Sequence, residues 1–142
     1  MPDIKQIKKD LRGPMMPVIT CFKDDLSLDL ETIQDNVRFL VDGGIVTGQG
    51  VMLAVGAGGD FPMMSVDERK DTARAIVEAA EGKAPVLIGV QDTDPRVSVE
   101  LAEFAHEIGA YGIQASPTYY YEPADKDVIA FFQALKDAAQ LP

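Results

Sequence analysis

The chain has 142 residues, 46% of them hydrophobic and 25% charged, with a formal net charge of −10. That length and balance fit one globular domain with a real core, and the acidity argues against nucleic acid, whose phosphates it would repel. A lone cysteine, Cys21, and a lone histidine, His106, exclude an internal disulfide and a soft-metal cluster, so a reducing cytoplasmic setting, no metal and no cofactor are expected, and no apolar run is long enough to span a bilayer.

Residues 1–13 read as a polar N-terminal arm without a signal core. Ile4, Ile7 and Leu11 fall at helical spacing, so the arm can carry a short helix. Residues 14–142 read as one body. The first strand is expected from Met15 to Phe22. Asp29 can then cap a helix whose stripe is Ile33, Val37, Leu40 and Val41, ended by Gly43-Gly44. Val51 to Val55 is an unbroken apolar run, as in a parallel strand covered on both faces. It breaks into Gly56, Gly58 and Gly59, and Ser65-Val66-Asp67-Glu68 then forms a capping box. The helix behind it turns Ala73, Ile76, Val77 and Ala80 inward and stops at Gly82.

Pro85 to Val90 is the third strand. Asp94-Pro95 opens a helix with Leu101, Phe104, Ala105 and Ile108 on its buried side. Gly112 to Pro117 is the fourth strand, with Tyr119, Tyr120 and Tyr121 in its outgoing loop. The last helix starts near Asp127, with Ile129, Phe132, Leu135 and Ala139 facing in. Four strand–helix units in strict alternation mean an α/β fold with a parallel sheet and right-handed crossovers. Periodicity leaves two architectures open, a doubly wound sheet and part of an eight-stranded barrel.

The glycine turn after the second strand carries the clearest chemical signal. Strand, bare backbone amides and a helix start together can hold a carboxylate or a phosphate. A tight βα turn with no ligand would use the same glycines. Other candidates have plain explanations. His106 belongs to an exposed helix face, Asp94 to a cap, and Met63-Met64 to a pocket wall or ordinary packing. Cys21 has no base near it, Asp92 could line a site mouth, and Asp60 could orient the glycine loop or serve as plain surface charge.

Several stretches resemble one family in the same order. They are Ile19-Thr20-Cys21-Phe22, Ser27-Leu28-Asp29-Leu30, Gly56 to Asp60, Ser65 to Lys70, Pro85 to Val90, Leu101-Ala102, Gly109-Ala110-Tyr111-Gly112 and Tyr119-Tyr120-Tyr121-Glu122-Pro123. From about residue 13 onward the chain is similar to the N-terminal half of the dihydrodipicolinate synthase and N-acetylneuraminate lyase family. Those are pyruvate-dependent Schiff-base aldolases on a TIM barrel. The resemblance implies a parallel (βα)4 half of a (β/α)8 barrel in an enzyme that acts on a small 2-oxo acid such as pyruvate and forms homo-oligomers.

It also implies site roles. Ala57, Gly58 and Gly59 would offer backbone amides to the substrate carboxylate. Tyr120 would be the catalytic tyrosine that reaches a neighbouring subunit's site, with Tyr119 its partner. The family places hydroxyl side chains where this chain has Ala57 and Gly58, so the synthase's own proton relay through that position is not expected here. The family's Schiff-base lysine lies on a sixth strand, beyond Pro142, and no lysine of this chain falls on an expected strand. On its own the chain is therefore expected to be inactive. The alternatives are a non-catalytic half-barrel module that self-associates and a phosphate-binding doubly wound domain.

Overall fold

The computed structural model describes residues 3–140; the first two residues of the arm and the closing Leu141-Pro142 lie outside the described residues. Four strands, β1 (Met15–Pro17), β2 (Val51–Ala54), β3 (Val86–Gly89) and β4 (Gly112–Gln114), pair in chain order and all in parallel. Pro17, Leu53, Leu87 and Gly112 share one register line across the sheet. Five helices accompany them: α1 (Ile4–Asp10), α2 (Leu30–Asp42), α3 (Val66–Ala80), α4 (Pro95–Glu107) and α5 (Asp125–Ala139).

The strand order decides between the two architectures. A doubly wound sheet reverses its order at a switch point and carries helices on both faces. Here the order is sequential, and right-handed crossovers then put every helix on the same side. Accordingly Met52, Ala54, Val86 and Ile88 pack in one apolar cluster with Ile33 and Val37 of α2, Ile76 of α3, Leu101 and Ala105 of α4, and Leu135 of α5. Leu53 and Leu87 alternate to the opposite face. This is half of a barrel, and the doubly wound alternative is set aside.

The caps form as their residues dictate. The Asp29 carboxylate accepts from the Thr32 amide at 3.1 Å, and Asp94 accepts from the Arg96 amide at 2.9 Å. At α3 the Ser65 hydroxyl accepts from the Glu68 amide at 3.3 Å while Glu68 accepts from the Ser65 amide at 2.8 Å.

β2 and β3 match expectation to within a residue at each end, and the other two strands stop well short. After Pro17 only the Val18 amide continues the ladder, to the Leu53 carbonyl at 2.9 Å; Thr20 then turns its hydroxyl to the Gly59 carbonyl, and Phe22 forms an isolated bridge with Leu28. β4 ends at Gln114, short of Pro117, which has no N–H to give a ladder. The last helix begins at Asp125, two residues earlier than the sequence suggests, and its stripe is only partly covered. Leu135 and Ala139 are buried, but Ile129 is 70% exposed and Phe132 42%. Both lie on the exposed side of α5, so the expectation that they face in fails.

Candidate functional site

The backbone at the carboxyl end of β2 is unusual. Val55, fully buried and β-branched, has φ of 56°, the left-handed region such side chains avoid. Its carbonyl accepts from Gln91 Nε2 at 3.2 Å. The space is kept by Gly89, where a Cβ would lie 2.4 Å from that same carbonyl oxygen. The chain then makes one turn of 3-10 helix over Ala57–Gly59. Gly59 is buried against β1, since a Cβ there would come within 2.9 Å of the Val18 carbonyl oxygen. The Thr20 hydroxyl donates to the Gly59 carbonyl at 2.6 Å and locks the turn. Ala57 and Gly58 are exposed, and their amides find no acceptor among the described residues.

A cleft of about 330 Å³ opens at the carboxyl ends of the strands. Its wall is Leu53 of β2, Ala57 and Phe61 after it, Gln91 after β3, and Gln114, Ser116 and Tyr119 at and after β4. Of the expected site residues, the structure brings Ala57 to this wall together with Tyr119. Gly58 and Gly59 lie beside it on the same turn. Tyr120 is not among the wall residues; it is 73% exposed, with its ring edge-on to Tyr121 at 4.9 Å.

Arg69 went unnoticed in the sequence. Its side chain is 2% exposed, and it donates to Asp92 Oδ2 at 2.9 Å, the Gln91 carbonyl at 3.0 Å and the Gly89 carbonyl at 3.3 Å. Its guanidinium carbon lies 5.2 Å from the centre of the Phe61 ring. Burial pulls the guanidinium's pKa down and the Asp92 carboxylate opposes the shift; the group stays cationic at neutral pH. Arg69 thus ties the loop after β3 to the loop after β2, the two sides of the cleft. Periodicity shows only a charged residue in a helix's first turn, and its partner comes 23 residues later. Asp92 is therefore held by Arg69, and its other oxygen accepts from the Asp94 amide at 2.9 Å.

The remaining candidates stand apart. His106 is exposed on α4. Cys21 is half-buried, and burial first, then the nearby Asp29 carboxylate, pushes its thiol up, away from the nucleophilic form. Every lysine among the described residues lies outside the four strands. Among the described residues no group of three His, Cys, Asp or Glu side chains is placed to hold a metal, and no helix is long and apolar enough to cross a membrane. A larger hollow of about 500 Å³ lies at the opposite end, between the arm and the starts of β3 and β4, where the Tyr111 hydroxyl donates to Asp10 at 2.8 Å. Size favours that hollow, but in parallel sheets ligands sit at the carboxyl ends of strands, which favours the smaller cleft.

Comparison with known proteins agrees with this geometry. Residues 10–142 match the dihydrodipicolinate synthetase family. The 4-hydroxy-tetrahydrodipicolinate synthase of Cereibacter sphaeroides is 33% identical over 132 residues, which cover 93% of this chain and 44% of that one. The crystal structure of YagE, a prophage protein of the dihydrodipicolinic acid synthase family from Escherichia coli K12 in complex with pyruvate, is 31% identical with a TM-score of 0.85, over 92% of this chain and 42% of YagE. Proteus mirabilis N-acetylneuraminate lyase shares the fold at 22% identity, with a TM-score of 0.84 over 92% of this chain and 43% of the lyase. The chain spans less than half the length of these relatives. It belongs to the dihydrodipicolinate synthetase family and has the α/β fold of half its barrel.

Proposed function

We propose that this chain is the N-terminal half of a lyase or aldolase that forms a Schiff base with pyruvate or a related 2-oxo acid. The free amides of Ala57 and Gly58, on the turn anchored by Gly59, hold the substrate carboxylate. Tyr120 reaches a neighbouring subunit of a cytoplasmic homo-oligomer. The amine that attacks the ketone comes from a lysine outside these residues. The observation that carries this reading is the pairing of two unsatisfied amides with a cleft at the carboxyl ends of the strands. Amides already aimed at one spot can hold an anion there without reorganising when it binds. Incubating the full-length gene product with pyruvate and borohydride tests it. A single pyruvate-derived adduct on a lysine outside residues 1–142 is expected; its absence removes the lyase reading.

A second reading, a non-catalytic half barrel that self-associates, is favoured by one observation. A groove of about 430 Å³ runs along the open edge of β4, walled by Ile113, Phe132 and Leu135. A sharp homodimer of the 142-residue chain without an adduct would support it.

A further inference from the structure

Val55, at the entrance to the glycine turn, has φ of 56° and a side chain in the core cluster. A β-branched residue is strained there, and such strain persists only where the surroundings over-determine it. Two grips do so. The core holds the side chain, which is 1% exposed. Gln91 holds the carbonyl, its Nε2 donating at 3.2 Å.

Packing does not account for a glutamine at the second grip. Gln91 is 5% exposed, and its Oε1 has no hydrogen-bond partner among the described residues. An apolar side chain would fill the same space without burying an orphaned acceptor. The amide's orientation is set by its one bond, because the Val55 carbonyl only accepts and Nε2 must face it. The main chain of Gln91 is pinned as well. Its carbonyl accepts from Arg69 at 3.0 Å, and the preceding Val90 amide donates to the Gln114 carbonyl at 2.9 Å. Gly89 leaves the room, since a Cβ there would stand 2.4 Å from the Val55 carbonyl oxygen and 2.9 Å from Gln91 Nε2.

The path of the chain after Val55 depends on this grip. The Val55–Gly56 peptide is planar and trans. Holding its carbonyl therefore also sets the Gly56 amide and the direction in which the chain enters the turn over Ala57–Gly59. Thr20 ties the far end of that turn through the Gly59 carbonyl. Gln91 ties the near end. The amides of Ala57 and Gly58 lie between the two ties and find no acceptor among the described residues.

We propose that Gln91 is a positioning residue for the 2-oxo acid: through the Val55 carbonyl it aims the Ala57 and Gly58 amides at the substrate carboxylate. This rests on the lyase reading above. Gln91 touches no substrate and acts only through the backbone that follows β2.

Two ketones separate this role from general support of the fold. The full-length protein is trapped with borohydride on pyruvate and on hydroxyacetone, which can form an imine on the same lysine but carries no carboxylate. Gln91→Met removes the donor and keeps the size. It should raise the half-saturating pyruvate concentration at least about tenfold, leave that of hydroxyacetone within about threefold, and change the trapping rate at saturating pyruvate little. Damage to the fold or to the lysine moves both ketones together. Val55→Gly tests the route, because glycine takes the left-handed region without strain; adding Gln91→Met to it should raise the pyruvate value by no more than about threefold. A folded Gln91→Met that leaves the ratio of the two ketones unchanged overturns the assignment and spares the lyase reading, as does a full loss of about tenfold in the Val55→Gly background. No adduct with either ketone in the wild type overturns both. Should Gln91→Met not fold, Gln91→Asn decides by the same ratio, since its amide is one carbon too short to reach Val55.

Discussion

Replacing Arg69 with methionine removes three hydrogen bonds from behind the cleft and leaves an apolar side chain of similar length against Phe61. The bond to Asp92 is charge-assisted and worth about 1.5–3 kcal/mol, and each of the Gly89 and Gln91 carbonyls left without a donor adds about 1–3 kcal/mol. The plain sum overshoots for three reasons. The Asp92 side chain is 24% exposed and can turn to water. Arg69 Nε is itself unsatisfied, so its burial penalty disappears with it. Methionine keeps part of the contact with the ring.

A net loss of about 3 kcal/mol follows, the lower end of what breaking a buried ion pair costs. Urea unfolding measures it. With m of about 1–3 kcal/mol/M the midpoint should fall by about 1–3 M at unchanged m. Lys70→Met is the control. Lys70 lies on α3 next to Arg69, and its loss breaks an exposed pair with Glu100 of α4 and should cost about 0–1 kcal/mol. A loss below about 1 kcal/mol for Arg69→Met, or equal losses for both variants, would refute the assignment of Arg69 as the tie across the cleft.

Three further outcomes are expected. Gly89→Ala forces a Cβ against the Val55 carbonyl at 2.4 Å, where the obstacle is backbone, and should lower stability by about 1–3 kcal/mol in the same urea assay; a neutral result would mean that the turn after β2 is not held as described. Ser65→Ala should cost about 1 kcal/mol at neutral pH through loss of the cap, and less in acid. The Ser65 amide and hydroxyl hold the Glu68 carboxyl below its ordinary value, and bonds from the first turns lower Asp29 and Asp94 in the same way. Stability from a lowered carboxyl is complete above its ordinary pKa near about 4 and is lost as pH falls through the lower folded value. Urea midpoints should therefore be level from neutrality down to about pH 5 and decline below about pH 4. A midpoint that holds in strong acid contradicts this.

Local signals carried much of the architecture. Asp29, Ser65 with Glu68, and Asp94 with Pro95 mark three helix starts that the structure reproduces, and the run from Val51 marks a strand within a residue of its observed end. These features depend on neighbours along the chain, which is why they can be read there. Residues whose role depends on distant neighbours could not be. Arg69 is indistinguishable from a solvated helix charge until the loop after β3 folds over it. Gln91 carries no periodic or capping signature, and the carbonyl it bonds belongs to the contorted Val55 after β2, distant along the chain. Ile129 and Phe132 show the reverse failure. Their spacing implies a covered stripe, and spacing says nothing about what stands opposite. The order of the strands, which separated half a barrel from a doubly wound sheet, was likewise beyond periodicity.

The parallel, sequential sheet also divides labour between its two ends. Because each strand runs the same way, every outgoing loop surfaces at one rim and every returning loop at the other, whatever its distance along the chain. Ala57 and Tyr119 become neighbours at one rim, while Asp10 and Tyr111 clasp at the other. Substitutions that alter what is bound and substitutions that alter robustness can then accumulate at opposite poles with little interference. A chain built this way can change its chemistry by rewriting one set of loops while the other keeps the fold fastened.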